Sequence, residues 1–175
     1  MNHPIDKMPD PIGQPIDPSR LQFQFLGDLL YHEGPFISHL TNQKNENFFL
    51  AWCDKDNMHH RWMLYKTTVP LLRSFFEKRR TLRDLILDNP DGHVLLIDID
   101  GHIDWKKAFR VQVADLDPDY LPGDGSGYDE TGFEPYLYEL KRRIGQEGNG
   151  YGINEETSAA VVMEPKPDDV TKPPE

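Results

Sequence analysis

Apolar and polar positions alternate from Leu21 onward: Leu21, Phe23 and Phe25 are separated by Gln22 and Gln24, the period of a half-buried strand, and strand character runs on to about Tyr31. Glu33-Gly34-Pro35 marks a turn, and Phe36 to Leu40 forms a second strand. A polar turn at residues 42–45 leads to a third strand, Phe48 to Cys53, and Asp54-Lys55-Asp56-Asn57 turns the chain into a fourth, Arg61 to Tyr65. Short polar connections between strands predict an antiparallel meander.

The period then changes. Thr68 is placed to cap a helix with Pro70 in its first turn, where a missing amide does no harm, and Leu72, Phe75 and Phe76 share one face. Thr81 caps a second short helix with Asp84 at the capping-box position, and Leu82, Leu85 and Ile86 form its buried side. Asn89-Pro90-Asp91-Gly92 ends it.

Residues 93–111 are the densest apolar run, interrupted by Asp100-Gly101. A hairpin with a three-residue Ile99-Asp100-Gly101 loop puts glycine where a left-handed conformation is needed. It pairs Ile97 with Ile103 and Leu95 with Trp105, a consistent buried face, and leaves Asp98, His102 and Asp104 together on an outer face.

Both ends of the chain read differently. Residues 1–20 hold Pro4, Pro9, Pro11, Pro15 and Pro18 and a loose Pro-Ile repeat, which predicts a flexible extended arm; Ile5, Ile12 and Ile16 are its candidate partner contacts. Glycines at 123, 125 and 127 predict a linker over 123–131, followed by an amphipathic helix over 132–144 carrying Phe133, Leu137, Leu140 and Ile144. Residues 145–175 read as an acidic disordered tail. The expectation is an α+β core over 21–122: a mainly antiparallel sheet of about six strands with two or three short helices on one face.

Charge sharpens this division. Residues 1–111 hold 15 acids and 14 bases, net −1, and residues 112–175 hold 15 acids and 5 bases, net −10, together the −11 of the whole chain. That balance argues against nucleic acid as a general partner, although an acidic tail can mimic it. The N-terminus shows no basic segment followed by an apolar run, and no stretch reaches the ~20 apolar residues of a membrane span. Cys53 stands alone, which fits a reducing cytoplasm.

The chemical candidates are few. Asp98-Ile99-Asp100-Gly101 is similar to the nucleophile strand of haloacid-dehalogenase phosphatases, but only 74 residues follow Gly101, too few for the crossover units that chemistry is mounted on. Asp98, His102 and Asp104 form a candidate Mg²⁺ or Mn²⁺ face, since oxygen donors with one imidazole suit hard cations. That face defines an alternative function, a small metal-dependent hydrolase or nuclease. Arg79, Arg80 and Arg83 are candidate contacts for an acidic partner, or helix-end cations that pair with the chain's own acidic third. No cofactor is expected, because the glycines at 123–127 do not link a strand to a helix.

Tyr31-His32-Glu33-Gly34-Pro35-Phe36, the hairpin ending in Arg61-Trp62, the Thr81-Leu82-Arg83-Asp84 helix start and Asp119-Tyr120-Leu121-Pro122 together resemble a family of small bacterial proteins, a domain of unknown function, over about residues 25–122. The resemblance implies a bacterial cytoplasmic protein and a compact α+β core, and it brings no catalytic residues. The leading expectation is therefore a non-enzymatic interaction or accessory module, such as an immunity-type partner in a bacterial system.

Overall fold

The structure is a computed structural model and describes residues 7–31, 35–100, 105–129 and 131–147. Seven strands form one antiparallel sheet: β1 (Gln14–Ile16), β2 (Phe23–Tyr31), β3 (Pro35–Asn42), β4 (Asn47–Lys55), β5 (His59–Thr67), β6 (His93–Asp100) and β7 (Trp105–Gln112). Three α-helices accompany them among the described residues: α1 (Val69–Phe76), α2 (Leu82–Leu87) and α3 (Pro135–Glu147). The sheet order is β1-β7-β6-β5-β4-β3-β2, so β2 to β7 form the expected meander and the proline-rich arm adds the further strand. The fold is α+β, as the sequence pattern predicts.

That order forces the sheet to curl. Laid flat, β1 and β2 would be six inter-strand steps of about 4.8 Å apart, about 29 Å in all. The link from Ile16 to Phe23 cannot reach that far, because it spans at most about 25 Å fully extended and part of it is wound into a 3-10 turn, Pro18–Arg20. The curl shows directly in the side chains: Phe23 of β2 meets Trp105 of β7 with ring centroids 6.2 Å apart, and Phe48 of β4 at 5.0 Å.

Curling buries both faces. On the concave side Leu64, Ile97 and Ala108 pack with Ile16, Leu21, Phe23, Phe48, Leu95 and Trp105. On the convex side Leu29, Ile37, Phe49, Met63, Leu96 and Val111 pack under Leu72, Phe75, Leu85, Ile86, Leu137 and Leu140 of the three helices. Thr68 and Thr81 cap α1 and α2 as expected, and Thr81 and Asp84 close a capping box, with Thr81 N–H donating to Asp84 Oδ2 at 2.8 Å.

Two-sided burial also explains why the hairpin register differs from the expected one. Leu96 and Ile97 point to opposite faces and both are fully buried, so alternation of apolar and polar residues could not select a pairing. The observed register pairs Ile97 with Ala108 and Ile99 with Trp105, with a bulge between Asp98 and Ile99, in place of Ile97 with Ile103 and Leu95 with Trp105. Ile99 and Asp100, expected in the turn, instead continue β6 and pair with His60 and His59 of β5; residues 101–104 lie outside the described residues.

Two further boundaries move. The arm expected to be flexible is sewn onto the fold from residue 7: Met8 N–H donates to Asp56, Asp10 pairs with Lys107 at 3.3 Å, and β1 pairs with β7. Gly13 is needed there, because a Cβ would lie 2.7 Å from the Arg110 carbonyl oxygen. The expected linker is also part of the core. Tyr128 is buried edge-on against Phe75 and Phe76, and Ser126 accepts a hydrogen bond from the Leu82 amide at 2.9 Å. The last helix is thereby anchored against α1 and β2; residues 148–175 lie outside the described residues.

The Tyr65 hydroxyl is buried on the convex side without a hydrogen-bond partner. An unmet buried hydroxyl costs about 1–3 kcal/mol, so Tyr65→Phe should leave stability unchanged or raise it by about 1 kcal/mol in urea denaturation; a loss of more than 1 kcal/mol would contradict this.

Candidate functional site

Of the candidate metal face only Asp98 lies among the described residues. Asp98 points to the convex, helix-covered side, where it is buried at 5% exposure rather than standing on a solvated face. Both its oxygens are taken by Arg61 of β5: Arg61 Nε donates to Oδ1 at 2.7 Å and Nη2 to Oδ2 at 2.9 Å. His102 and Asp104 lie outside the described residues, and among the described residues no three His, Cys, Asp or Glu side chains converge as a metal site.

Arg61 is fully buried, and both hydrogens of its Nη1 are engaged as well. Nη1 donates to the Pro9 carbonyl at 2.7 Å and to the Tyr120 hydroxyl at 2.8 Å. One guanidinium thus joins β5, β6, the N-terminal strap and the 3-10 turn Pro118–Tyr120. Cys53 lies alongside, its Sγ donating to the Arg61 carbonyl at 3.4 Å, and burial pushes its thiol pKa up to about 12. A thiol held protonated is no nucleophile.

A second buried polar group sits under α3. His39 of β3 is 2% exposed, with Nε2 at 2.9 Å from Asn47 Oδ1 and Nδ1 at 3.0 Å from the Tyr136 hydroxyl. An amide oxygen only accepts, so Nε2 carries the proton and Nδ1 accepts from Tyr136. Burial pushes the His39 pKa below its ordinary value, which keeps the ring neutral. The Tyr136 ring rests on Gly27 of β2, where a Cβ would come within 2.5 Å of it. Neither pattern nor spacing in the sequence singles out His39 or Gly27; only the docking of α3 on β2 brings them together.

The arginines proposed as partner contacts are met within the chain. Arg79 pairs with Glu77, Arg80 with Asp88, and Arg83 with Asp124 at 3.3 Å. Only the last of these reaches into the acidic C-terminal third; the other two acids are local. Of the three isoleucines, Ile5 lies outside the described residues, Ile12 is exposed and Ile16 packs into the concave core, so the arm holds its own sheet rather than presenting a row of isoleucines. A cavity of about 450 Å³ beside β1 is lined by Gln14, Ile16, Asp17, Arg20, Leu21 and Arg110. Its one carboxylate, Asp17, is spent on capping Ser19 and on Arg20, so it offers no free base.

What stays open is one sheet edge. The outer edge of β1 is three residues long with Pro15 at its centre, which offers no amide to a further strand. The outer edge of β2 is nine residues long. Its second half is covered where Leu29 O accepts the Glu134 amide at 2.9 Å and Tyr136 lies on Gly27. Among the described residues nothing covers its first half, and a bulge between Phe25 and Gly27 aims Phe25, at 58% exposure, and Leu26, at 37%, to solvent. With this geometry in hand, comparison with known proteins adds nothing further: no family model, no curated protein and no solved structure matches the chain. No helix among the described residues is long and apolar enough to cross a membrane.

Removing the Asp98 carboxylate leaves the Arg61 charge buried and unpaired. Asp98→Ala should therefore lose about 3–5 kcal/mol in chemical denaturation, while Arg61→Met with Asp98→Leu should recover more than half of it. His39 gives a second signature. Its folded pKa lies below the ordinary 6.5, so the unfolded chain takes up its proton first as pH falls. Its contribution to stability is complete above about pH 6.5 and is lost as pH drops through the window below. Denaturation midpoints between pH 7 and pH 5 should slope accordingly in the wild type and be flatter in His39→Gln.

Proposed function

We propose that the protein is a non-enzymatic interaction module of a bacterial system, and that it engages another protein chain by strand addition to the first half of β2. The observation that carries this is the contrast between the two edges: β1 is blocked by Pro15, while β2 leaves Phe25 and Leu26 exposed beside unpaired backbone. The buried ionisable groups support it from the other side. Asp98, Arg61, His39 and Cys53 are each engaged in holding elements together, not gathered around a cavity. The bacterial setting follows from the resemblance over residues 25–122 and stands as part of the proposal.

Tagged full-length protein and a Phe25→Asp/Leu26→Asp variant with the same circular-dichroism spectrum should differ in one respect. The wild type should retain a stoichiometric protein chain whose binding slows amide exchange over residues 23–28, and the variant should lose it at least tenfold. Equal retention by both, or retention by neither, overturns the assignment.

A further inference from the structure

We propose that the chain taking up the open half of β2 is a second copy of this protein, paired antiparallel about a two-fold axis at Gln24. The inference rests on the interaction reading above and names the occupant of the same edge.

Symmetry supplies the argument. In an isologous pairing each segment faces itself reversed, so like charges near the axis would be set against one another. Residues 21–27 contain no charged side chain, in a protein whose net charge of −11 makes two copies repel over most of their surfaces. With the axis at Gln24, Gln24 meets its own counterpart and Phe23 lies opposite Phe25. A basic partner attracted to this acidic protein would find no carboxylate on the uncovered stretch to receive it.

The second edge limits what can form. Joining β2 of one copy to β1 of the next would propagate without end, but Pro15 removes the amide that such a ladder needs. Among the described strand edges, the closed pairing of β2 with β2 is the one open to the chain. The uncovered stretch is short, so the interface sits at the small end of specific contacts, and a micromolar dissociation constant is expected.

Sedimentation equilibrium on the full-length protein from about 1 to 500 μM tests this. The mass should rise from the 20.3 kDa of one chain toward twice that value. Gln24→Lys and Gln24→Glu, both at an exposed position, should each weaken association at least tenfold, since each sets like charges together at the axis. An equimolar mixture of the two variants should restore it, because lysine then faces glutamate. A wild-type mass fixed at 20.3 kDa, variants that dimerise as the wild type does, or a mixture that stays monomeric would each overturn the two-fold pairing. If the wild type is monomeric yet captures another protein through Phe25 and Leu26, only the identity of the occupant is wrong; failure of both experiments removes the interaction reading too.

Discussion

The buried guanidinium of Arg61 is the contact on which most of the fold converges. Its two bonds to Asp98 clamp neighbouring strands, and its other two draw in the Pro9 carbonyl and the Tyr120 hydroxyl from opposite ends of the described chain. A charge taken out of water is tolerated only when its hydrogen bonds are met in good geometry, so each of these three partners is held in place by the penalty of leaving Arg61 unpaired. That is why a proline-rich arm, which buries little apolar surface near Pro9, is nevertheless fixed across the end of the sheet. It also gives Asp98 a structural task, since both of its carboxylate oxygens accept from Arg61.

From that fixed point the curl of the sheet follows. The strap leads directly into β1, β1 pairs with β7, and the link to β2 is too short to cross a flat sheet. Curling brings Phe23 against Trp105 and makes the concave side a second small core. The convex side needs a cover, which α1, α2 and α3 supply. α3 is the most conditional of the three: it is joined to the sheet through Tyr136 on Gly27, the Glu134 amide and the neutral His39 beneath it. Its position decides where the edge of β2 is covered and where it is bare.

The elements were legible where local chemistry alone decides them. Thr68 with Pro70, and Thr81 with Asp84, announce their helices because caps act within four residues. Strands β2 to β7 were readable from alternation and turns. The register of β6 and β7 was not, since a strand buried on both faces carries no polar side to orient it. The strap was misread because Pro9 and Pro15 look the same in a free arm and in an edge strand; what distinguishes them is Arg61 and β7, both far away in sequence. The Gly-rich stretch before Tyr128 was misread likewise: its glycines are exposed loop, but Tyr128 itself fills a gap between Phe75 and Phe76 that composition cannot reveal. Of the candidate site, the residue types were visible and their allegiance was not.

An uncovered strand edge is a hazard that folded proteins usually remove, by prolines, charges or a covering element. Among the described residues this sheet uses a proline on β1 and a helix on half of β2, and leaves residues 21–26 without either device and without a charge. The same bulge that could have bent the edge out of use instead turns Phe25 and Leu26 outward together. Had β1 been equally open, copies could add edge to edge indefinitely, and a net charge of −11 would be a weak defence against a growing ladder at physiological salt. With β1 closed, the bare stretch of β2 can be satisfied once and then no further. The two edges therefore make sense together: guarding one is what makes leaving the other open compatible with an assembly that stops growing.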